Sequence, residues 1–430
     1  MMEFQHETPA SLYGLDLGIP LGDRRVLIAD DSRFNQRTLT RFLHWAGITQ
    51  VAFAADGTEL LERMETVRPD LLLVDADLPP IDGIALCRVL RADPRWRDLP
   101  ILMQSARNTD QLRALCFQAG ATDLLAKPVN PGECIARVRY HLERRSMVQE
   151  LRAFRERVER DLRQARGMQL ALVPDDASLA VLAARNGLSI EPVFQASDEI
   201  GGDFWTSFEI DPPEGEAESR IGIFVADLSG HGIASAINAF RLHTLLTRTL
   251  PDDRRDPARL LGLLNQRLSD ILPVGQFAAA FYGVIDRAAD TLLYAAAGAP
   301  NPLLGSRGGF RVLDASGLPL GAFGGALYEN RRTPFRPGDT LFLCSDGLTE
   351  ARDGNDAMLG EEGLADLVEQ AAAAAPDRPF PWLMARFAER FGTSLRDDLT
   401  ALWIRRDAGC GAVGRNAVGH AMAAFIPPSD

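Results

Sequence analysis

Between residues 24 and 141 short apolar runs alternate with longer stretches of helical spacing. VLIAD (26–30), VAFAA (51–55), LLLVD (71–75), ILMQS (101–105) and DLLAK (123–127) read as strands. The segments between them, 33–46, 57–67, 83–92 and 109–119, repeat apolar residues three and four apart, as helices do. A further helix is expected near 131–145. Five successive β/α units predict an α/β domain with a doubly wound, five-stranded parallel sheet. The apolar runs are nearly continuous, which fits strands covered on both faces.

From about 142 to 172 the texture changes. HLERRSMVQELRAFRERVERDLRQARGMQLALVP has no Gly before 167 and no Pro before 174. Met147, Leu151, Phe154, Val158, Ala165, Met168 and Leu172 recur at heptad-like spacing, interrupted at Asp161, and charges fill the other faces. Such a stripe predicts a coiled-coil-like helix that seeks a partner helix, so a homodimer through this segment is expected. From 188 to 406 the pattern is strand-rich: SIEPVFQ, DFWTSFEI, IGIFVAD, FAAAFYGVID, TLLYAAAG, TLFLCSD and LTALWIR. Helices are expected near 232–250, 257–271, 361–374 and 378–391, which together read as an α+β domain with much antiparallel sheet. The expected organisation is a lead-in at 1–21, a first domain at 22–143, a helical linker at 144–175, a second domain at 186–407 and a patternless tail at 408–430.

Composition narrows the classes. A chain of 430 residues with 46% apolar and 24% charged residues is expected to be globular and to hold two or three domains. A net charge of −13 argues against a general nucleic-acid or anionic-membrane binder, because both need a positive field. Cys87, Cys116, Cys134, Cys344 and Cys410 are scattered and never form CxxC, so they read as buried free thiols rather than a disulfide framework or a zinc site. The opening MMEFQHETPA lacks a basic and then apolar leader, and no apolar run is long enough for a membrane span. The expected location is the cytoplasm.

The first cluster of chemistry lies at the carboxyl ends of the predicted parallel strands, where such sheets collect ligands. Those ends carry Asp30 and Asp31, Asp75, Ser105 and Lys127. Three crowded carboxylates repel one another unless a hard divalent ion such as Mg²⁺ sits among them. A lysine and a hydroxyl opposite suit a phosphoryl group, and an aspartate beside Mg²⁺ can itself accept one.

The second cluster is Asp203 in EIGGDFW, Asp227 in VADLSGHG, Asp346 in LFLCSDGLTEARD, and Asp397 with Asp398 in LRDDLT. Flanking glycines permit close backbone approach. Oxygen ligands without Cys or paired His point to Mg²⁺ or Mn²⁺. Four carboxylates can hold two ions, which would clamp a phosphate and acidify water for hydrolysis without a covalent intermediate. No P-loop signature occurs, and His231 reads as a loop residue rather than a ligand. Two alternatives stand beside the enzyme: a non-catalytic domain that binds a partner, and a nucleotide cyclase, since GGDFW is similar to the GGDEF loop. Phe204 stands where that loop needs an acid.

LLLVDADLPPIDG, with the acidic pair at 30–31, Ser105 and Lys127-Pro128, resembles response-regulator receiver domains over about 24–143. The resemblance implies that Asp75 is the phosphoacceptor for a sensor histidine kinase. It also implies that Asp30, Asp31 and Asp75 hold Mg²⁺, and that Ser105 and Lys127 contact the phosphate. The family often has Tyr or Phe as a switch three residues before the lysine; here that position is Leu124. From about 160 to 406 the order LRQARGMQLALVP, GGDFW, VADLSGHGIASA, FAAAFYGVID, GLPLGAF, RPGDTLFLCSDGLTEARD and DDLT resembles the SpoIIE/RsbU-like branch of the PPM serine/threonine phosphatases. That resemblance implies two antiparallel sheets flanked by helices and two Mn²⁺ or Mg²⁺ ions. The ligands it implies are Asp203, Asp227, Asp346 and Asp397, with Asp227 bridging and the Leu228 carbonyl contributing; Asp398 is not expected to be a direct ligand. The implied substrate is a phosphorylated STAS-type anti-sigma-factor antagonist. Thr206 and Ala299 depart from the common Asp and His at their positions. Together the two resemblances imply a two-component response regulator whose output is a protein phosphatase controlled through Asp75.

Overall fold

The computed structural model describes residues 21–107, 109–212, 219–230, 232–392 and 396–408. Two compact units divide the chain, residues 1–158 and 159–430.

The first unit is a parallel sheet of β1 (Arg25–Ala29), β2 (Gln50–Ala54), β3 (Leu71–Asp75), β4 (Ile101–Ser105) and β5 (Asp123–Ala126), in the order β2-β1-β3-β4-β5. Helices α1 (Arg33–Trp45), α2 (Gly57–Val67), α3 (Gly83–Ala92) and α4 (Asp110–Gln118) alternate with the strands. Each starts where a side-chain oxygen can accept from a free N–H of the first turn. Ser32 accepts from Asn35, Asp56 from Glu59, Asp82 from Ala85 and Thr109 from Leu112. Two apolar cores cover the sheet. Leu72, Val74, Ile101 and Met103 face one side with Leu86 and Leu90 of α3, while Leu71, Leu73, Leu102 and Leu125 face the other with Leu39 and Leu43 of α1. All five elements sequence patterning predicts as strands are present within one residue of their expected ends.

α5 runs unbroken from Pro131 to Leu170, 40 residues. The sequence divides this stretch into a helix near 131–145 and a separate linker helix; the structure fuses them, since between Gly132 and Gly167 nothing breaks the backbone. The boundary between the two compact units falls inside this helix, not at the ends of a separate linker. Among the described residues nothing covers the stripe: Met147, Leu151, Phe154 and Met168 are each about three-fifths to two-thirds exposed, and only Leu172, beyond the helix, is buried.

In the second unit α6 (Asp176–Arg185) follows. Sequence patterning misses this helix, because DASLAVLAAR is alanine-rich with little amphipathic contrast; its Leu179 and Ala183 join the central core, so this domain begins earlier than 186. Two antiparallel five-stranded sheets then pack face to face. One is built from β7 (Phe204–Ile210), β8 (Arg220–Leu228), β9 (Ala278–Asp286), β10 (Thr291–Ala297) and β13 (Arg331–Pro334), in the order β13-β10-β9-β8-β7. The other is built from β6 (Leu188–Gln195), β11 (Leu303–Ser306), β12 (Gly309–Val312), β14 (Thr340–Cys344) and β15 (Leu399–Arg406), in the order β12-β11-β14-β15-β6. Trp205, Ile223, Phe281, Leu341 and Leu402 fill the space between them. Outside the first sheet lie α7 (Ile233–Thr247) and α9 (Pro257–Ser269), joined by the single turn α8 (Pro251–Arg254). Outside the second lie α11 (Gly360–Ala374) and α12 (Pro379–Phe391), with the short α10 (Asp346–Thr349) leading in. The result is a helix–sheet–sheet–helix sandwich, as the resemblance of the second half implies. Among the described residues no helix is long and apolar enough to cross a membrane.

Candidate functional site

In the first unit the strand register brings the predicted residues to one edge. Asp30 follows β1, Asp75 ends β3, Ser105 ends β4 and Lys127 follows β5. Asp30 is fully buried and Asp75 nearly so, while Asp31 is exposed. One carboxylate oxygen from each of Asp30, Asp31 and Asp75 lies within 4.8 Å of the others. Lys127 Nζ donates to Asp30 Oδ2 at 2.9 Å and to Asp75 Oδ2 at 2.5 Å. Burial works against the ammonium, but the hydrogen bonds and charges of Asp75 and Asp30 outweigh it, so the Lys127 pKa is raised. Asp30 is oriented from behind: its Oδ1 accepts from the Ser32 N–H and from Asn35 Nδ2. The Ser105 hydroxyl turns to the backbone of Arg107, donating to its carbonyl at 3.2 Å and accepting from its N–H at 3.1 Å. Three hard carboxylates within reach of one another suit a divalent cation of the Mg²⁺ type.

In the second unit each sheet contributes two acids. Asp203 immediately precedes β7 and Asp227 is the penultimate residue of β8; Asp346 follows β14 by two residues, and Asp397 lies just before β15. Asp227 interacts with both Asp203 and Asp346. Burial, then the charges of Asp203 and Asp346, push the Asp227 carboxyl far above its ordinary range. Burial raises Asp203 as well, with the Thr400 hydroxyl opposing and the Asp398 charge adding to the shift. Asp346 is raised by burial, eased by Asp227 and increased again by Asp397. Both oxygens of Asp203 and Oδ1 of Asp346 are buried without a hydrogen-bond partner among the described residues. Carboxylate oxygens left without donors in this way are costly unless cations compensate them. The donor set, oxygen only, fits hard divalent ions. Asp397 is exposed at the rim.

Asp398 does a different job from its neighbour. Its Oδ1 accepts from the Ser197 N–H at 2.8 Å and the Ser197 hydroxyl at 3.0 Å, and its Oδ2 accepts from the Gly202 N–H. It is buried and satisfied, a clasp between the two sheets and not a free ligand. Glycines make the clasp possible. A β-carbon on Gly201 would overlap the Asp398 carboxylate, and one on Gly202 would come within 2.7 Å of the Leu228 carbonyl oxygen.

The chain matches the family model for the response regulator receiver domain over residues 26–139 and that for Stage II sporulation protein E (SpoIIE) over residues 217–407. It joins a receiver domain to a SpoIIE-type domain. Over the receiver it is 42% identical across 120 residues to "Response regulator MprA" of Mycobacterium ulcerans, covering 28% of this chain and 50% of that one. It is 40% identical across 121 residues to "DNA-binding response regulator MtrA" of Mycolicibacterium paratuberculosis, covering 28% and 52%. The chain thus spans about half the length of these curated relatives. Among solved structures, the SiaA-PP2C domain of Pseudomonas aeruginosa aligns with a TM-score of 0.51 and 25% identity, over 59% of this chain and 99% of that one.

In the receiver domain Leu124 is buried in the core, so no aromatic stands at that position to turn outward. In the SpoIIE domain Thr206 lies within β7, and Ala299 packs against the inter-sheet core. His231 lies outside the described residues, as do the lead-in up to residue 20 and the tail from 409. Cys87, Cys116, Cys134 and Cys344 are buried and free. Two features escape motif reading. Lys127 is the only lysine in the chain, all other basic side chains of that class being arginine; a residue count reveals it. Gln169, buried near the end of α5, holds the Gly201 backbone through its amide, and only the fold shows that contact.

Proposed function

We propose that the protein is a response regulator whose SpoIIE domain hydrolyses phosphoserine or phosphothreonine on a partner protein, under the control of phosphorylation at Asp75. The observation that carries this reading is the set Asp203, Asp227 and Asp346: both oxygens of Asp203 and Oδ1 of Asp346 are buried without a hydrogen-bond partner among the described residues, and burial, before any other cause, raises all three carboxyls. Asp203, Asp227, Asp346, Asp397 and the Leu228 carbonyl would hold two Mg²⁺ or Mn²⁺ ions. Such ions supply Lewis acidity, polarising a phosphate ester and acidifying water beside it. The chain supplies the rest. Asp398 fixes the Gly202 backbone against Ser197, which sets the position of Asp203. The glycines at 201 and 202 let that loop lie against the Leu228 carbonyl. Asp397 is exposed at the edge of this set.

In the receiver domain Asp75 accepts the phosphoryl group of a sensor histidine kinase, with Mg²⁺ at Asp30, Asp31 and Asp75 and with Lys127 and Ser105 as contacts to the phosphate. Lys127 already bridges Asp30 and Asp75 and becomes available to phosphoryl oxygens once Asp75 carries the phosphoryl group as an acyl phosphate. The Ser105 hydroxyl, now bound to backbone, is the second group that has to turn. The exposed stripe on α5 supports pairing with a second copy. The substrate proposed is a phosphorylated STAS-type antagonist, in line with the resemblance to SpoIIE and RsbU.

The test incubates the full chain with Mn²⁺ and a phosphoserine STAS antagonist. Release of phosphate by the wild type and its loss in Asp227→Asn support the reading. No release, or equal release by both, sinks it. Activity that ignores beryllofluoride and is unchanged in Asp75→Asn would leave the receiver without control.

A further inference from the structure

The loops that carry Asp227 and Asp203 are rimmed by one apolar surface. α7 opens directly after the Asp227 loop, and its first turn places Ser235 against Gly202, so that an added β-carbon there would lie 3.0 Å from Ser235 Cβ. The opposite face of the same helix points to solvent: Ile233 is 59% exposed, Ile237 is 49% exposed, and Arg241 follows one turn later. The neighbouring segment continues the surface. Ser229 donates its N–H to the Phe277 carbonyl and accepts the Phe277 N–H on its hydroxyl, both at 2.9 Å. Asn238 donates to Gln276 Oε1 at 2.6 Å. Val274 and Phe277 on this segment are exposed. Arg241 bonds only to Asn238 Oδ1 and has no carboxylate partner among the described residues.

A cluster of exposed large apolar side chains is where a partner binds. What binds is constrained by depth. Asp203 is 1% exposed, while a phosphoserine side chain is short, so a phosphate brought to the acids brings its own backbone down onto the rim. Residues beside the phosphoserine must then lie against Ile233, Ile237 and Phe277. At the far end the unpaired Arg241 guanidinium complements a carboxylate. Eight helical residues separate Ile233 from Arg241, about 12 Å, which an extended peptide covers in three to four residues.

We propose that this face seats the substrate segment, and that it selects phosphoserine flanked by apolar residues with an acidic residue three or four positions beyond the apolar flank. The inference rests on the phosphatase reading above.

The test uses the full chain with Mn²⁺ on p-nitrophenyl phosphate and on a panel of phosphoserine peptides. Flanks are apolar or polar, with Glu or Arg placed three or four residues beyond the flank on either side. The wild type is expected to favour the apolar, Glu-bearing peptides about tenfold in kcat/KM, a rim-sized effect. Arg241→Glu is expected to invert the order of Glu- and Arg-bearing peptides, a gain that a loosened fold does not produce. Ile237→Glu should lower the ratio of peptide to p-nitrophenyl phosphate turnover by a similar factor. Hydrolysis of p-nitrophenyl phosphate without any peptide preference, or an order unchanged in Arg241→Glu, overturns the proposed seat and leaves the phosphatase standing. No hydrolysis of anything removes the phosphatase reading and this inference with it.

Discussion

Gln169 and Gly201 hold each other by a reciprocal pair of hydrogen bonds: Gln169 Nε2 donates to the Gly201 carbonyl at 2.8 Å, and the Gly201 N–H donates to Gln169 Oε1 at 3.1 Å. One partner sits near the end of the 40-residue helix α5, and the other lies two residues before Asp203. The helix end and the acid loop are therefore one mechanical piece within the SpoIIE domain. Gln169→Ala leaves a buried N–H and a buried C=O unpaired, each costing about 1–3 kcal/mol. We expect a lower melting temperature and weaker Mn²⁺ binding by calorimetry. A variant that loses stability but binds Mn²⁺ like the wild type would separate the helix from the acid loop.

Adjacent acids at 397 and 398 should respond in opposite ways. The Asp398 carboxylate accepts three hydrogen bonds in a buried setting, so Asp398→Ala should cost several kcal/mol, at about 1–3 kcal/mol per orphaned group, and should show it in urea melts. Asp397 is exposed and next to Asp346. Asp397→Asn should leave stability intact or slightly raised, because it removes a like charge, while Mn²⁺ affinity falls. Equal losses of stability in both variants would contradict this division of labour.

These contrasts also mark what the sequence carries and what it hides. The receiver sheet is legible because each strand is a compact apolar run and each helix opens on a capping Ser, Thr or Asp; LLLVD matches β3 residue for residue. The acids are legible because they sit at strand ends beside glycine. The roles of Asp397 and Asp398 differ through contacts hundreds of residues apart in sequence, Ser197 with Asp398 among them, and no spacing rule encodes those. α6 is hidden for a local reason: its apolar residues nearly encircle the helix, so there is no polar face to count against. The continuity of α5 is hidden for the opposite reason, because a change in the face being buried, from sheet to solvent, imitates a break in the element.

Removal of divalent ions should make stability fall with rising pH. Asp203, Asp227 and Asp346 all have folded-state pKa values above the ordinary carboxylate range. A group raised in this way holds its proton in the folded protein after the unfolded chain has released it. The folded state therefore has its full advantage below the unfolded pKa, about 4, and loses it as pH climbs through the folded values. With EDTA, melting temperature should drop from pH 5 towards pH 8. With Mn²⁺ it should drop less or rise, because ionised carboxylates are the better ligands. A Mn²⁺-induced shift in melting temperature that is as large at pH 5 as at pH 8 would count against a carboxylate metal site here.

Lys127 provides the last and most direct prediction, since it is the chain's only lysine and the only cation bridging Asp30 and Asp75 among the described ion pairs. Its side chain is largely buried. Lys127→Met leaves two buried carboxylates facing each other, and breaking such a pair from one side costs about 3–5 kcal/mol. Mg²⁺ placed among Asp30, Asp31 and Asp75 would offset part of that charge, so the loss in melting temperature should be larger in EDTA than in Mg²⁺. Being the sole lysine, Lys127 can be followed chemically: an amine-reactive reagent modifies it and the N-terminal amine alone. Labelling at Lys127 in wild-type protein should slow when beryllofluoride and Mg²⁺ occupy Asp75, because the ammonium is then held by the phosphoryl mimic. Unchanged labelling, together with an equal melting loss in EDTA and Mg²⁺, would show that this lysine neither meets the phosphoryl group nor shares its site with a cation.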